Sequence, residues 1–493
     1  MGREKIGGVL AQAVLSGFLL ALAFPRWNLR GLAWGALVPL FYSLDGSRNK
    51  REAFLSGFLA GFIFFLLSVS WLRHVTVFGM FFVVTVMAIY WGVFGVLFRE
   101  ARSLGLLFLS SGWVAMEFIR SEIPVWGFGW NLLGESQASN LLIAQLASLG
   151  GVYCVSFLVF LANSVIYSLL KNGTRKESQT LILFVLLFST SLVFGWSRTQ
   201  TFDPRSFLRI SVLQGNIPQL LKWEPAYKEE ILRIYLNLTE LASYDVPQLI
   251  VWPEAAYPGF FNRESEAERV KELVRKIQIP LLVGSPHQAE SGFYNSAYLL
   301  DRSGEPVQRY DKIRLVPFGE YVPWKPIFGF LESYAYALGV SDFSSGREFT
   351  VFRLGESGPR FSVLICFEDT FPDLARKFVN HGANFLTVIT NDAWFGHSSA
   401  PYQHLEASVF RAIENGVAVV RAANTGISGF ITSRGQVVER VKNQEKKDTF
   451  VMGGVTYPAD TSSEVTLFRR GGWLFPYFCL GVPVFGFLFR KGK

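Results

Sequence analysis

The sequence predicts a bundle of about eight membrane helices joined to a separate α/β domain, and three observations support this fold class. Half of the 493 residues are hydrophobic and only 17% are charged, which is more apolar than an ordinary soluble protein. The apolar residues are concentrated in 1–200 and 472–489, whereas 203–464 has mixed composition. Within that mixed segment, short apolar strands alternate with amphipathic helices, which is typical of an α/β layered domain. We therefore expect three parts: seven spans in 1–200, a globular domain in 203–464 and a last span in 472–489.

The individual spans follow from the length of each apolar run. A helix needs roughly 20 mostly apolar residues to cross a bilayer. We expect spans at 6–24, 29–44, 53–72, 77–98, 104–119, 141–170, 179–196 and 472–489. The first run lacks a small-residue cleavage site, so we interpret it as a retained helix and not as a signal peptide.

The basic residues of the short loops predict the orientation. With the N-terminus inside, most loop Lys and Arg residues lie on the cytoplasmic side, and the outer short loops hold only Arg26, Arg30, Arg73 and Arg120. Seven spans then place 203–464 outside the cytoplasm. We expect a multi-pass protein of a bacterial cytoplasmic membrane with an extracytoplasmic, periplasmic globular domain.

The net charge of +8 is explained by this topology and by attraction to anionic lipid. The globular segment shows no basic stripe interleaved with stacking aromatic residues, so we do not expect a nucleic-acid partner. The predicted spans carry few ionisable residues apart from Glu117, whereas transporters place charges along their pathways. These helices are therefore interpreted as a membrane anchor and a lipid-facing platform.

The globular segment contains a single thiol, Cys366, because Cys154 and Cys479 fall in predicted spans. No disulfide can form within that segment. Cys366 follows the strand-like residues 361–365. A lone cysteine in an oxidising compartment is either buried or used, so burial in the core is the alternative to a chemical role.

Two more ionisable residues come at strand ends: Glu254 follows Ile-Val-Trp-Pro, and Lys312 follows Tyr310 and Asp311. Taken singly, such residues serve as helix caps or solvated charges. Together with Cys366 they supply a base, a cation and a nucleophile. A thiol needs a neighbouring base or positive charge to react at neutral pH, and a cation can also stabilise an oxyanion.

Seven short motifs resemble the apolipoprotein N-acyltransferase family, which joins a nitrilase-type domain to eight membrane helices. The resemblance runs over essentially the whole chain in the same order. Its motifs are Gln214-Gly215-Asn216, Trp252-Pro253-Glu254, Tyr310-Asp311-Lys312, 315–321 (Leu-Val-Pro-Phe-Gly-Glu-Tyr), Ile365-Cys366-Phe367-Glu368, 391–396 (Asn-Asp-Ala-Trp-Phe-Gly) and 424–428 (Asn-Thr-Gly-Ile-Ser).

The resemblance implies an αββα sandwich with a catalytic triad of Glu254, Lys312 and Cys366. It further implies supporting roles, which we assign to the carboxylates of Glu320 and Glu368, the Phe367 amide as an oxyanion donor, and Trp223 and Asn295 near the site. Relatives often have Tyr where this chain has Phe367, which removes a phenol hydroxyl but leaves the main-chain donor.

The implied reaction is a two-step acyl transfer. Cys366 takes the sn-1 acyl chain of a phospholipid, with phosphatidylethanolamine the expected donor, and forms a thioester. The α-amino group of an apolipoprotein's N-terminal diacylglyceryl-cysteine then accepts the chain. We expect a monomer and neither a cofactor nor a metal, since the five histidines show no zinc-binding spacing.

An unusually aromatic stretch, 322–340, suggests an arm that rests on the outer leaflet and admits acyl chains, because aromatic side chains favour that interface. The expected lipid contacts are Trp324 and Phe328 in this stretch and Trp126 and Trp130 as an opposing lip. Ordinary packing is the alternative for these aromatic residues.

Two alternatives to acyl transfer remain at this level. A membrane-tethered amidase of the nitrilase type would use the same triad with water as acceptor. A non-enzymatic transporter or scaffold would keep its function after Cys366→Ala.

Overall fold

The computed structural model describes residues 2–123, 127–200, 206–328 and 342–490. The chain divides into two compact units. The helical unit comprises Met1–Phe202, Ser398–Glu406 and Thr466–Lys493, and the α/β unit comprises Asp203–His397 and Ala407–Val465. The grouping of Ser398–Glu406 with the helical unit is a feature that the sequence did not predict.

The helical unit begins with nine α-helices in its described part. They are α1 (Gly2–Leu22), α2 (Val38–Gly46), α3 (Lys50–Ser68), α4 (Val77–Ala101), α5 (Leu106–Glu122), α6 (Leu141–Ala144), α7 (Ala147–Gly150), α8 (Val152–Asn172) and α9 (Ser178–Gln200).

Four helices of the described chain are long and apolar enough to cross a membrane: α3, α4 with its extension to Leu104, α8 and α9. The count of about eight spans therefore stays a prediction. The expected second span is interrupted, because a 3₁₀-helix at Arg30–Trp34 precedes α2. The expected sixth span begins as a long helix only at Val152, because Gly151 adopts a φ of +75° that ends the preceding short helical turns.

Glycines allow α3 and α4 to approach each other closely. A Cβ atom at Gly57 would lie 2.2 Å from the main-chain oxygen of Trp91, and one at Gly95 would lie 2.4 Å from that of Ala53. Small residues at such contacts let the backbones of membrane helices pack together.

Two buried charges on α5 organise the segment that follows it. The Glu117 carboxylate accepts a hydrogen bond from the Leu133 amide at 2.7 Å. The Arg120 guanidinium donates to the main-chain oxygens of Phe128, Trp130 and Asn131 at 2.7, 3.0 and 3.2 Å. Glu117, the one ionisable residue singled out from the sequence of the spans, therefore contacts protein backbone.

The α/β unit contains two six-stranded sheets. The first has the order β12-β1-β2-β3-β4-β5 and the second the order β11-β10-β9-β8-β7-β6. The strands are β1 (Phe207–Gln214), β2 (Leu249–Val251), β3 (Leu281–Ala289), β4 (Gly292–Leu300), β5 (Pro306–Asp311), β6 (Phe352–Arg353), β7 (Arg360–Ile365), β8 (Phe385–Thr390), β9 (Val419–Ala423), β10 (Gly429–Ile431), β11 (Val437–Arg440) and β12 (Gly453–Asp460).

Each sheet has a parallel centre, β1-β2-β3 in the first and β7-β8-β9 in the second, and its other pairs are antiparallel. β4 and β5 form a hairpin whose turn contains Arg302-Ser303-Gly304. The helices of this part of the chain are α10 (Lys228–Ser243), α11 (Ala267–Ile277), α12 (Lys325–Phe328), α13 (Pro372–Asn380) and α14 (Ala400–Asn415), whose first residues belong to the helical unit. The helical unit then ends with α15 (Leu467–Arg470) and α16 (Phe475–Arg490).

The first sheet is covered by α10 and α11, whose apolar faces form one core with β1–β4. The rings of Tyr235 on α10 and Trp252 after β2 lie 5.0 Å apart, and the Trp252 indole donates to the Thr239 hydroxyl at 2.8 Å. Burial of these large side chains fixes the residues that follow β2, where Glu254 lies.

The two sheets are joined by hydrogen bonds inside the α/β unit. The Ser428 hydroxyl donates to the Gln214 side chain at 2.6 Å, and the Asn216 amide donates to the main-chain oxygen of Asn424 at 2.9 Å. All four residues belong to motifs that the sequence singled out. The predicted α/β fold is confirmed at this level.

Candidate active site

The three residues expected to carry the chemistry all follow strands of the α/β unit. Glu254 lies three residues after β2, Lys312 directly after β5, and Cys366 directly after β7. β2 and β7 are buried and apolar, so their backbones hold Glu254 and Cys366 in fixed positions, whereas most of β5 is exposed. The sequence correctly placed each residue at a strand end.

Lys312 lies between two carboxylates. Its side chain is 1% exposed, and its Nζ atom lies 2.9 Å from Glu320 Oε1 and 3.6 Å from Glu254 Oε1. Burial would lower the pKa of Lys312, but Glu320 and Glu254 raise it above its usual value overall. The lysine is therefore a permanent cation at neutral pH.

Asn295 on β4 connects the same two carboxylates. Its side-chain amide lies 2.8 Å from Glu254 Oε1 and 2.8 Å from Glu320 Oε1, and donates to both. The second oxygen of Glu320 accepts from the Val316 amide at 2.8 Å. Glu254, Asn295, Lys312 and Glu320 thus form one hydrogen-bonded network.

Cys366 has a φ of +53°, in the left-handed region that a non-glycine residue rarely adopts. It begins a short 3₁₀-helix, Cys366–Thr370, directly after β7. Strain of this kind persists only where the surrounding structure fixes it, and it concentrates at functional sites.

Desolvation raises the pKa of the Cys366 thiol well above its usual value, and the charge of Glu254 raises it further, while Lys312 acts in the opposite direction. The residue nevertheless keeps part of its surface accessible. The resting thiol is therefore protonated at neutral pH and needs a base to become a nucleophile.

Glu368 joins the turn at Cys366 to the residues after Lys312. One carboxylate oxygen accepts from the Ile365 amide at 2.8 Å. The other accepts from the Tyr310 hydroxyl at 2.7 Å and from the amides of Ile313 and Arg314 at 2.8 and 3.0 Å. The fully buried carboxylate has a pKa raised by burial to about 7, although these donors favour its charged form.

The amide of Phe367 lies in the first turn of the 3₁₀-helix that Cys366 begins. Amides in the first turn of a helix have no partner within that helix, so they can bind an anion. The Phe367 ring packs edge-on against Phe371, with ring centroids 4.9 Å apart.

The candidate lipid-contact residues differ in exposure. Trp223 and Trp324 are each 48% exposed. Phe328 is the last residue of α12, and most of the aromatic stretch 322–340 lies outside the described residues, as does Trp126. Trp130 is only 5% exposed and packs against the rings of Trp71 and His404 in the helical unit. Its ring therefore does not form the exposed lip that we expected, because packing within the unit buries it.

Two features of the site were not predicted. Lys222 is buried and donates to the main-chain oxygen of Glu254 at 2.9 Å. Asp369, three residues after Cys366, pairs with Arg421 of β9 at 2.8 Å, and both side chains are inaccessible. The sequence signal for the burial of Lys222 was its position between two large apolar residues, Leu221 and Trp223. The signal for Asp369 was its position next to Glu368.

No group of three or more His, Cys, Asp or Glu side chains in the described part of the chain has a geometry suited to a metal ion. The site instead offers a thiol, a carboxylate, a buried ammonium group and a helical amide. That set of groups is suited to acyl transfer through a covalent intermediate.

Comparison with known families divides the chain as its composition does. Residues 16–165 match the apolipoprotein N-acyltransferase N-terminal domain, and residues 209–458 match the carbon-nitrogen hydrolase family. Among solved structures, an amidase from Nesterenkonia sp. is 20% identical, with a TM-score of 0.39. The match covers 55% of this chain and 95% of the amidase chain. A nitrilase-superfamily protein of Saccharomyces cerevisiae is 18% identical, with a TM-score of 0.39, and the match covers 52% of this chain and 91% of the yeast chain.

Curated relatives match over most of their length. The apolipoprotein N-acyltransferase of Geobacter metallireducens is 38% identical over 452 residues, covering 86% of this chain and 85% of its own. That of Chlorobaculum tepidum is 31% identical over 512 residues, covering 95% and 94%. That of Thermotoga maritima is 29% identical and covers 94% and 90%. With both domains matched and this degree of identity, the chain belongs to the apolipoprotein N-acyltransferase family.

Proposed function

We propose that this protein transfers a fatty acyl chain from a phospholipid to the α-amino group of the N-terminal diacylglyceryl-cysteine of apolipoproteins, the last step of lipoprotein maturation. Membership of the family supports the overall reaction. The observation that supports the mechanism is the buried network in which Lys312 contacts both Glu254 and Glu320, in a site that also holds the Cys366 thiol.

In the first half-reaction, Glu254 takes the proton of the Cys366 thiol, and the sulfur attacks the sn-1 ester carbonyl. Lys312 and the Phe367 amide stabilise the oxyanion that forms. The bond to the glycerol oxygen then breaks, Glu254 returns the proton to that oxygen, and a lysophospholipid leaves. The acyl chain remains on Cys366 as a thioester.

In the second half-reaction, the α-amino group of the acceptor attacks the thioester carbonyl. Glu254 takes a proton from the attacking nitrogen, and the same donors stabilise the second oxyanion. The carbon–sulfur bond breaks, the thiolate takes up the proton from Glu254, and an amide is released. This is a ping-pong scheme in which one carboxylate serves both steps.

The raised pKa of the thiol explains why a base is required. A thiol that stays protonated at neutral pH is unreactive until it transfers its proton. Asn295 and Glu320 have supporting roles in this scheme, because both contact Glu254 or Lys312 directly. Glu368 supports the nucleophile by accepting a hydrogen bond from the main-chain amide of Ile365, the residue before Cys366.

The acyl donor reaches the site from the membrane in this proposal. Trp223 and Trp324, both about half exposed, are suited to contact lipid, since tryptophan prefers the boundary between headgroups and acyl chains. Phe328 and Trp126 remain proposed contributors to acyl-chain contact. We further propose phosphatidylethanolamine as donor, a monomeric enzyme, and an inner-membrane location with the α/β unit on the periplasmic side.

The first half-reaction can be tested by intact mass spectrometry of the purified full-length protein incubated with phosphatidylethanolamine. Wild type should gain the mass of one acyl chain, and Cys366→Ala should gain none. An adduct that forms equally on Cys366→Ala would contradict the proposed nucleophile. An adduct on wild type that water alone discharges would indicate a lipid hydrolase.

A further inference from the structure

Lys222 is a second buried lysine of the site, in addition to Lys312. It lies in the turn that follows β1, where the Leu221 amide donates to the Pro218 oxygen at 3.1 Å and the Lys222 amide to the Gln219 oxygen at 3.4 Å. The side chain is 2% exposed, and its Nζ atom donates to the main-chain oxygen of Glu254 at 2.9 Å.

The turn itself is fixed to other strand ends of the α/β unit. The Gln219 side chain accepts from Asn391, which follows β8, at 2.7 Å. The Ile217 amide and oxygen both bond to the side chain of Asn424, which follows β9, at 2.9 and 2.7 Å. Lys222 is therefore held by rigid elements and does not reach Glu254 from a free surface loop.

Burying an ammonium group with three N–H donors costs free energy unless nearby negative charge and hydrogen-bond acceptors compensate for the lost hydration. Within the part of the chain that the structure describes, the main-chain oxygen of Glu254 is the hydrogen-bond acceptor of Lys222 Nζ. Burial lowers the pKa of Lys222 to about 8, and the charges of Glu254 and Cys366 oppose that change. The group is thus mainly charged at neutral pH and loses its charge in mildly alkaline solution.

The other ionisable groups of the site are mostly carboxylates, which the positive charge of Lys222 partly balances. Lys312 alone would face both Glu254 and Glu320. The charge of Asp392, after β8, also acts on Cys366, and that of Glu368 acts on Lys312. A second cation offsets this negative charge and favours the thiolate form of Cys366, which must give up its proton.

We propose that Lys222 is a positioning residue of the acyl-transfer site: its ammonium group holds the main chain of Glu254 in place and supplies the second positive charge that Glu254 and Cys366 need. This inference rests on the proposed roles of Glu254 as base and Cys366 as nucleophile. Lys222 acts through these two residues and does not itself contact the reacting atoms.

The test measures how fast iodoacetamide alkylates Cys366 in the full-length protein between pH 6 and pH 10, by quantifying the Cys366-containing peptide. Lys222→Met removes the charge and the hydrogen bond. Lys222→Gln keeps a donor for the Glu254 oxygen without the charge, and Lys222→Arg keeps the charge. Lys228→Met is the matched control, because Lys228 pairs with Glu264 and Glu266 at the surface.

We expect Lys222→Met and Lys222→Gln to alkylate about tenfold more slowly than wild type at pH 7, which corresponds to about one pKa unit for the thiol. Lys222→Arg should retain most of the rate, and Lys228→Met all of it. The difference from wild type should shrink above about pH 8, because the wild-type lysine itself loses its charge there.

Three results would overturn the proposal: an unchanged rate in Lys222→Met at pH 7, a loss that is the same at every pH, or full recovery in Lys222→Gln. If Lys222→Met does not fold, the comparison of Lys222→Gln with Lys222→Arg decides alone. The assay uses no lipid, so a wild type that alkylates as expected but never becomes acylated would refute the proposed function without refuting the role of Lys222.

Discussion

At the scale of the residue, the turn at Cys366, the proposed nucleophile, is held by one buried carboxylate that accepts hydrogen bonds. Glu368 accepts from Ile365 on one side and from Ile313 and Arg314 on the other. It therefore ties the strained turn at Cys366 to the segment that begins at Lys312. Each of these amides would cost about 1–3 kcal/mol if it were left buried without an acceptor.

The raised pKa of Glu368 predicts a pH dependence of stability. Its folded-state pKa is about 7 against an ordinary value of 4.5, so the folded protein binds a proton there that the unfolded chain does not. The stability that this proton contributes is fully present below about pH 4.5 and is lost as the pH rises through about 7. Wild type should gain stability relative to Glu368→Gln between pH 8 and pH 5, by about 1.4 kcal/mol for each pKa unit of the shift.

Thermal unfolding of both proteins across this pH range checks the expectation. Glu229→Gln is a suitable control, because Glu229 is an exposed partner of Arg269. A constant difference between wild type and Glu368→Gln at pH 5 and pH 8 would contradict the assignment.

The sequence allowed the positions of Glu254, Lys312 and Cys366 near strand ends to be predicted, because each follows a recognisable strand. It did not allow Lys222 to be predicted, since the contact of Lys222 with Glu254 joins segments from two different turns. Local pattern cannot reveal which main-chain oxygen a distant lysine will reach.

At the scale of the element, β3 determines where Glu254 lies. A Cβ atom at Gly284 would be 2.1 Å from the Pro253 oxygen and 2.8 Å from the Glu254 Cα atom. The residue after Glu254, Ala255, has a φ of +47° and adds further constraint.

We expect Gly284→Ala to displace Glu254 and to lower the rate of Cys366 acylation by at least about tenfold. A displacement of a reacting group by about 1 Å can lower a reaction rate by about 100-fold. Gly453→Ala in β12 is the control, because its Cβ atom would meet only a flexible Val441 methyl group at 3.3 Å. Single-turnover acylation of the two variants measures the difference. Equal rates would show that the position of Glu254 does not limit the reaction.

The ion pair between β9 and the 3₁₀-helix at Cys366–Thr370 gives a second prediction at this scale. Arg421 on β9 and Asp369 in the turn form an inaccessible ion pair at 2.8 Å, and the Ser408 hydroxyl also donates to Asp369 at 2.5 Å. Arg421→Met leaves Asp369 buried without its cation, which typically costs about 3–5 kcal/mol.

Thermal unfolding should show this loss for Arg421→Met, with much of it restored in the double variant Arg421→Met/Asp369→Asn. Arg269→Met removes the exposed pair with Glu229 and should change stability by only about 0–1 kcal/mol. Equal effects of Arg421→Met and Arg269→Met would contradict a special role for the buried pair.

Secondary structure was predicted well where apolar runs are long and poorly where one residue interrupts them. The hydropathy of 141–170 gave no sign of the break at Gly151, because that break depends on a single positive φ. The break between Arg30–Trp34 and α2 is of the same kind.

At the scale of the whole molecule, the segregation of apolar residues predicted a helical part and an α/β part, and both are present. The orientation across the membrane is a prediction that labelling can test. In a Cys366→Ala background, Glu290→Cys, in the α/β unit, should react with an impermeant maleimide on intact spheroplasts. Arg175→Cys, in the loop before α9, should react only after lysis. Labelling of Arg175→Cys on intact cells would reverse the proposed topology.

The most direct test of the central claim follows the acyl chain from donor to acceptor. The full-length protein is first charged with a phosphatidylethanolamine whose sn-1 chain is isotopically labelled, and a diacylglyceryl lipopeptide is then added with its α-amino group either free or acetylated. We predict that the label leaves Cys366 and appears as an amide on the free lipopeptide alone. Loss of the label at the same rate with both lipopeptides, with release as free fatty acid, would contradict N-acyl transfer.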